Sequence, residues 1–233
     1  MSASACDLLC IAPHTDDAEI ALGGWLHALG QRGRRVWVCD LTAGELASNA
    51  TPAERWSEAL AASEVLGLAG RVQLGLPDGF LAADQPDQAG AVVHVLRTLR
   101  PRWVVTAPEP RRHPDHLATP PLVRRAVFLA RLRTLQPAPP PGRWWPRPVA
   151  GSSEEATAPW VVQALAETCG RDQAPDLLLD VSASWPAKRE ALACYGSQFR
   201  REAGRAPTAI NDPGFLDDID ARGRAWGRRA GVE

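Results

Sequence analysis

The sequence predicts an α/β fold with a mostly parallel sheet and helices on both faces of that sheet. Short apolar segments rich in β-forming residues alternate along the chain with segments of helical periodicity. The apolar segments are continuous and bounded, as expected for buried parallel strands. At 233 residues the chain is long enough to bury a large core, and we predict a single domain over residues 1–233.

Local signals support each element up to residue 107. The first strand is a bounded apolar run, and the helix after it has apolar residues at helical spacing and glycines near its end. A capping box with proline at the first helical position opens the second helix at Thr51. A Pro-Asp-Gly turn follows the third strand. Strands are predicted at residues 8–12, 35–42, 72–76 and 103–107, and helices at residues 18–31, about 51–66 and about 88–99.

The second half of the chain is less regular. Prolines and tryptophans crowd residues 135–158, which predicts an extended surface loop without regular structure, acting as a linker or as a lid or subunit contact. Strand character returns at residues 160–165 and 177–181. Helices are predicted at about residues 120–133 and 185–195, and a closing segment follows Pro213.

Composition and charge exclude several classes of function. The 26 basic and 27 acidic residues give a net charge of -1, without a basic stripe, so a nucleic-acid partner is not expected. No glycine-rich phosphate-binding motif is present. The five cysteines lack Cys-x-x-Cys spacing, which favours a reducing compartment. Neither a leader-like segment nor a run of about 18 apolar residues occurs, so we expect a cytoplasmic protein without a membrane partner.

Two histidine-containing motifs each follow a predicted strand. Pro-His-Thr-Asp-Asp occupies residues 13–17, and His-Pro-Asp-His occupies residues 113–116. Because ligands of α/β sheets bind at the carboxyl ends of the strands, both motifs are expected in one site. Catalytic Zn²⁺ usually takes three ligands from His, Asp or Glu and leaves a fourth position for water. His14, Asp17 and His116 can supply these ligands, although Fe²⁺ and other divalent ions suit the same set.

The other polar residues of the motifs indicate hydrolytic chemistry. Asp16 lies beside the ligands but is not needed as one, so it can act as a general base. His113 can polarise a carbonyl or protonate a leaving amine, with Asp115 holding its imidazole. An Asp-Asp pair can instead be only a helix cap, but the second histidine motif favours the metal site. His27 and His94 fall within helical patterns and are expected to be ordinary residues.

The motifs resemble those of the zinc-dependent N-acetylglucosaminyl deacetylases of the LmbE-like, or PIG-L, superfamily. Further motifs look like the bacillithiol-biosynthetic branch, which removes acetate from N-acetylglucosaminyl malate. The resemblance spans about residues 8–232 and implies a Rossmann-like sheet. The matching motifs are Asp-Asp-Ala-Glu-Ile at 16–20 with Gly23-Gly24, Cys-Asp-Leu-Thr at 39–42 with Gly44-Glu45, Ser48-Asn49, Leu-Pro-Asp at 76–78, Arg-His-Pro-Asp-His at 112–116 and Tyr-Gly-Ser-Gln-Phe at 195–199.

The resemblance implies the same metal and catalytic roles as the residues themselves suggest. It also implies substrate contacts. Arg55 matches a family arginine that faces the sugar, and Arg112 could bind a carboxylate of malate. Asn49 and Tyr195 complete this expected substrate-binding set. Relatives often form trimers or hexamers, so a homo-oligomer of either kind is one expectation for this chain.

The chain also departs from the family pattern. Thr15 occupies a position where proline is usual, and the loop at residues 135–158 has no clear counterpart. Alternatives therefore stay open. The same residues could deacetylate another N-acetyl amino sugar or hydrolyse a thiol-conjugate amide. A metal-stabilised sugar-binding module without turnover is the rival from another class, but it would need neither Asp16 nor His113.

Overall fold

A six-stranded sheet forms the centre of the computed structural model, which describes residues 6–106, 113–146, 158–169 and 173–232. The strands in chain order are β1 (Cys6–Ala12), β2 (Val36–Thr42), β3 (Gly70–Leu76), β4 (Pro101–Thr106), β5 (Arg143–Trp145) and β6 (Ala164–Glu167). Their order in the sheet is β5-β3-β2-β1-β4-β6. All neighbouring strands are parallel except β5, which pairs antiparallel with β3. The predicted mostly parallel α/β fold is confirmed.

Helices cover both faces of the sheet. They are α1 (Asp17–Gln31), α2 (Pro52–Val65), α3 (Pro86–Leu99), α4 (Pro114–Leu129), α5 (Trp185–Ala193), α6 (Gly196–Phe199) and α7 (Gly214–Ala230). Helices α3 and α4 pack in one core cluster with strand residues such as Ile11 and Cys39. Helices α1, α2 and α5 pack in a second cluster with Cys10 and Val38. Alternate strand residues therefore enter opposite cores, which explains the continuous apolar runs in the sequence.

Within the described ranges, no helix is both long and apolar enough to cross a bilayer.

The start of α2 confirms the predicted capping box. The hydroxyl of Thr51 accepts a hydrogen bond from the backbone N–H of Glu54 at 3.3 Å, and the Glu54 carboxylate accepts one from the Thr51 N–H at 2.8 Å. Two amide groups that a helix start would leave unpaired are thereby satisfied. The cap fixes the beginning of the helix that carries Arg55.

Helix α4 begins earlier than predicted. The sequence favoured a helix over about residues 120–133, but α4 starts at Pro114 and ends at Leu129. His113 is the N-cap, and its Nδ1 accepts a hydrogen bond from the backbone N–H of Asp115 at 3.3 Å. Pro114 takes the first helical position, where a missing amide hydrogen costs nothing. The second histidine motif therefore lies on the first turn of a helix.

The loop predicted at residues 135–158 contains regular structure, contrary to expectation. Residues 143–145 form the edge strand β5, and Trp144 packs edge-on against Trp37 with ring centroids 6.2 Å apart. An edge strand needs partners on one side only, so prolines near its ends are tolerated. Residues 147–157 of this loop lie outside the described residues.

Two other strand predictions need correction. The strand expected at residues 160–165 is shifted, because β6 begins at Ala164. Residues 177–181 form no strand, and Leu177 is 67% exposed. The predicted fourth strand is confirmed up to Thr106, and its last residue, Ala107, is not among the described residues.

A buried ion cluster ties α1 to the sheet beside the predicted site. Arg71 of β3 donates hydrogen bonds to both carboxylate oxygens of Asp40 on β2, at 2.6 and 2.8 Å. Its Nη1 donates a further hydrogen bond, at 2.6 Å, to Glu19 of α1. All three side chains are completely buried. The cluster fixes the first turn of α1, two residues beyond the predicted ligand Asp17.

Replacing Arg71 by methionine should lower the free energy of unfolding by about 3–5 kcal/mol, because two buried carboxylates would lose their cation. Urea denaturation at neutral pH measures this change. Arg124→Met is the matched control, since Arg124 pairs with Glu167 where the two side chains are 52% and 39% exposed. That exposed pair should contribute about 0–1 kcal/mol. Equal losses in both variants would contradict a special contribution of the buried cluster.

Candidate metal and catalytic site

The two histidine motifs meet at the carboxyl edge of the sheet, as predicted. Strand β1 leads through Pro13 into α1, and the Pro13 carbonyl accepts hydrogen bonds from the N–H and hydroxyl of Thr42, at 3.0 and 3.1 Å. These bonds hold the end of β1 against the end of β2. Strand β4 lies on the other side of β1, and α4 follows it. The rings of His14 and His113 are consequently 4.7 Å apart.

The three predicted metal ligands lie together. One possible ligand atom from each of His14, Asp17 and His116 lies within 4.8 Å of the other two. The Asp17 Oδ2 atom is 3.2 Å from His14 Nδ1 and 3.3 Å from His116 Nε2. Ligands on a tetrahedral metal with bonds of about 2.0–2.1 Å are about 3.3 Å apart. The two imidazoles and the carboxylate can therefore hold a divalent metal.

Two more carboxylates lie on the opposite side of the His14 ring. The Nε2 atom of His14 is 3.1 Å from Asp78 Oδ1 and 3.3 Å from Asp115 Oδ2. Burial lowers the pKa of His14, but its contacts with Asp115, Asp17 and Asp78 outweigh burial and raise that pKa to about 12. A metal-binding histidine commonly donates its other ring hydrogen to a carboxylate, which orients the ring. Asp78 and Asp115 are placed to orient His14 in this way.

Replacing Asp78 by alanine should weaken metal binding by about 10-fold to 100-fold, because His14 would lose a carboxylate that orients its ring. Competition with a chromogenic chelator measures the metal dissociation constant. Asp84→Ala, at an exposed position in the loop before α3, is the matched control. If the Asp78 and Asp84 variants bound metal equally well, the orienting role of Asp78 would be wrong.

The Asp115 carboxylate does not hold His113 as the sequence suggested. It accepts hydrogen bonds from the backbone N–H groups of Gly79 and Leu81, at 2.8 and 3.0 Å, and lies 3.8 Å from His113 Nδ1. His113 is oriented instead by the Asp115 backbone N–H, which donates to Nδ1. This contact leaves the ring hydrogen on Nε2. Burial and the neighbouring His14 lower the pKa of His113, whose side chain is 41% exposed.

Asp16 precedes α1 and lies outside the three-ligand set. Its φ of 115° is in the left-handed region, which is uncommon for residues other than glycine. Its Oδ2 atom lies 3.3 Å from Arg55 Nη2. Burial raises the pKa of Asp16 to about 7, although the charge of Arg55 opposes the rise. A carboxyl group with a pKa near neutrality is suited to accepting and returning a proton.

Arg55 reaches the site from α2, but most of its N–H groups are engaged by the protein. Its Nε donates to the Thr15 hydroxyl at 2.8 Å, and its Nη1 donates to the Gln198 amide oxygen at 2.9 Å. Its Nη2 donates to the Thr15 carbonyl oxygen. The residue is only 5% exposed, and it lines the cavity next to Asp16. A sugar contact by Arg55 would therefore compete with these internal bonds.

The structure places the remaining expected substrate contacts differently. Asn49 lines the cavity, and its amide exchanges two hydrogen bonds with the backbone of Ala206, at 2.9 and 2.7 Å. Tyr195 is completely buried in the core cluster that includes α1, and the structure does not bring it to the cavity. Arg112 lies outside the described residues. Of this group, only Asn49 joins Arg55 at the cavity.

Asp78 is the site residue whose role the sequence reasoning missed. Its segment was interpreted as a turn and as one of the matching family motifs, but no role was given to Asp78. The available signal was its position directly after β3, because the carboxyl end of β3 lies on the same edge as those of β1 and β4.

One cavity of about 1250 Å³ is lined by the three potential metal ligands together with Asp16, Arg55, Asp78 and His113. Ligand cavities commonly measure about 300–1,000 Å³, so this one has room for a sugar that carries a further substituent. Its other walls are largely apolar, with Trp25 and Trp226 among the lining residues. The arrangement can bind a small molecule and present one of its bonds to a bound metal, to Asp16 and to His113.

Comparison with solved structures shows that the fold is shared with other proteins. The conserved protein TT1542 from Thermus thermophilus is 36% identical, with a TM-score of 0.78 over 97% of this chain and 90% of that one. N,N'-diacetylchitobiose deacetylase from Pyrococcus horikoshii is 22% identical, with a TM-score of 0.76 over 97% and 80% of the two chains. GalB, the 4-carboxy-2-hydroxymuconate hydratase from Pseudomonas putida, is 20% identical, with a TM-score of 0.64 over 97% and 87%. The last two similarities concern the fold alone.

A family comparison matches the sequence directly. Residues 9–127 match the sequence model of the PIG-L family, described as GlcNAc-PI de-N-acetylase. This match covers more than half of the chain and includes both histidine motifs. The chain therefore belongs to the PIG-L family of de-N-acetylases.

Proposed function

We propose that this protein hydrolyses the acetamide of N-acetylglucosaminyl malate to acetate and glucosaminyl malate, as in bacillithiol biosynthesis. The observation that carries the chemistry is the arrangement in one cavity of three potential metal ligands, a separate carboxylate and a histidine Nε2. Metal-assisted amide hydrolysis requires all three kinds of group. A sugar-binding module would use only the metal ligands.

We infer that His14, Asp17 and His116 hold a zinc ion. When bound, such an ion polarises a carbonyl and lowers the pKa of water to about 7. Fe²⁺ and other divalent ions fit the same ligands. Reconstitution of metal-free protein with Zn²⁺ and with Fe²⁺, followed by activity measurements, distinguishes these ions.

The protein groups have separate tasks in the proposed reaction. Asp16 accepts the proton of the attacking water while the new C–O bond forms. The same proton then passes to the nitrogen as the C–N bond breaks, so that acetate and a free amine leave. His113 donates a hydrogen bond from Nε2 to the carbonyl oxygen, where negative charge develops. Arg55 favours the charged form of Asp16 because its guanidinium lies beside that carboxylate.

The malate compound is supported by sequence motifs, including Arg112 next to His113. Other acetylated amino sugars and thiol-conjugate amides present the same bond to the same groups. The cavity has room for substituents other than malate. The choice of substrate is thus the finer part of the proposal, and amide hydrolysis is the part that the geometry supports directly.

The test measures acetate and free-amine release from N-acetylglucosaminyl malate and from plain N-acetylglucosamine with metal-reconstituted protein. A strong preference for the malate compound would support both chemistry and substrate. Turnover of other acetylated sugars alone would keep the chemistry and contradict the substrate. Failure to hydrolyse any of these amides would contradict the proposed reaction and favour the binding module.

A further inference from the structure

The turn between β1 and α1 contains a residue to which no role has yet been given. Thr15 is completely buried, and its hydroxyl and its carbonyl oxygen both accept hydrogen bonds from Arg55. We propose that Thr15 is a positioning residue, which acts through Arg55 to hold the Asp16 carboxylate in the orientation needed for proton transfer. This inference rests on the proposed hydrolytic function.

The Arg55 guanidinium is planar and has its N–H groups in a fixed fork. Nε is anchored by the Thr15 hydroxyl at 2.8 Å, and Nη1 is anchored by Gln198 at 2.9 Å. Two anchors on different nitrogens fix both the position and the plane of the group. Nη2 is then held 3.3 Å from the carboxylate of Asp16.

Gln198, the second residue that anchors the Arg55 guanidinium, is itself held by hydrogen bonds. The side-chain amide of Gln198 donates to the hydroxyl of Ser197 at 2.9 Å. Ser197 in turn donates to both carboxylate oxygens of Glu58, from its backbone N–H at 2.7 Å and its hydroxyl at 2.6 Å. Glu58 lies on α2, the same helix that carries Arg55. The guanidinium is therefore fixed on one side by α2 and α6, and Thr15 links it to the turn that precedes α1.

The backbone of Asp16 is also held by contacts that involve Thr15. Its φ of 115° is unfavourable for a residue with a side chain, and such conformations persist only where surrounding contacts enforce them. On the amino-terminal side, the Thr15 carbonyl is held by Arg55. On the carboxyl-terminal side, the Asp16 carbonyl accepts the N–H of Ile20 at 2.9 Å. The contacts of Thr15 thus contribute to the backbone conformation that directs the Asp16 side chain.

The test compares variants that keep or remove the hydroxyl. Thr15→Val preserves the branched shape but removes the acceptor, and we expect kcat to fall by about 100-fold, the effect of a catalytic group displaced by about 1 Å. KM and bound metal should stay unchanged. Thr15→Ser keeps the acceptor and should recover most of the lost kcat. Thr98→Val on α3 is the matched control, because the buried Thr98 hydroxyl has no partner among the described residues.

A purely structural role would give a different pattern. Assays are run well below the Tm of each variant, so that unfolding does not reduce kcat. If Thr15 acts through Arg55, the double variant Thr15→Val/Arg55→Lys should be no slower than Arg55→Lys alone. Additive losses would overturn the proposal. So would a Thr15→Val enzyme with the kcat of the Thr98→Val control.

Crystal structures of the metal-free wild-type and Thr15→Val proteins provide a readout that does not depend on activity. We expect the Arg55 guanidinium beside Asp16 in the first and turned away from it in the second. An unchanged guanidinium in the variant would overturn the proposal. If Asp16→Asn is inactive while Thr15→Val is fully active, the positioning role fails and amide hydrolysis stands. If the wild type hydrolyses no amide, the proposed reaction fails instead.

Discussion

Replacing Asp16 by asparagine is expected to lower kcat for acetate release by about 100-fold to 10,000-fold, the usual contribution of a general base. The asparagine amide has nearly the same size as the carboxylate but cannot accept a proton from the attacking water. Asp16 lies outside the three-ligand set, so the metal should remain bound. The measurements are kcat on N-acetylglucosaminyl malate and the metal content of the same protein samples.

Asp218→Asn is a suitable control for this experiment, since it makes the same chemical change at an exposed position on α7. It should behave like the wild type. Full activity in Asp16→Asn, with metal bound, would show that another group accepts the proton. Loss of metal together with activity would instead assign Asp16 to the ligand set.

Replacing His116 by alanine should lower kcat at least as much as replacing Asp16 by asparagine. Its Nε2 is 3.3 Å from Asp17 Oδ2, and its removal would leave only two of the three predicted ligands. A catalytic metal contributes several kcal/mol of transition-state stabilisation, so we expect kcat to fall by about 1,000-fold or more. The dissociation constant of the metal should rise in parallel. Chelator competition and steady-state kinetics measure the two effects.

His94→Ala on α3 is the matched control for His116→Ala. His94 lies within a helical pattern and does not line the cavity, so this variant should keep both metal and activity. Dialysis of the wild type against a chelator should lower kcat as His116→Ala does, and added Zn²⁺ should restore it. Undiminished turnover in His116→Ala, or in thoroughly chelated wild type, would rule out the proposed metal chemistry.

Much of the first half of the fold could be predicted because its signals are local. Capping residues fixed the start of α2 at Pro52, and continuous apolar runs marked the strands that are buried on both faces. The second half was less predictable because its elements depend on distant partners. Strand β5 exists because β3 offers it a free edge, and Trp144 packs on Trp37. The leucines at residues 177–179 have strand-forming character but form no strand.

In the candidate site, too, some features follow from local sequence and others depend on distant contacts. His14, Asp17 and His116 could be chosen from the sequence because two motifs after parallel strands must share one edge of the sheet. The hydrogen-bond partners of these residues could not be predicted from the motifs. Asp78 approaches His14 from the end of β3, and the Asp115 carboxylate turns toward His14 instead of His113. Hydrogen-bond partners depend on side-chain directions across the sheet edge, which a linear motif does not contain.

The sequence by itself determined the α/β class, the family and the candidate set of metal ligands, since these depend on local periodicity and on motifs that carry their own chemistry. Only the tertiary structure decided which groups those residues contact. It buried Tyr195 in the core and engaged Arg55 with Thr15, Gln198 and Asp16. For Arg55 the physical reason is that a buried charged group must find partners wherever the fold provides them. Those partners come from helices and strands that are far apart along the chain.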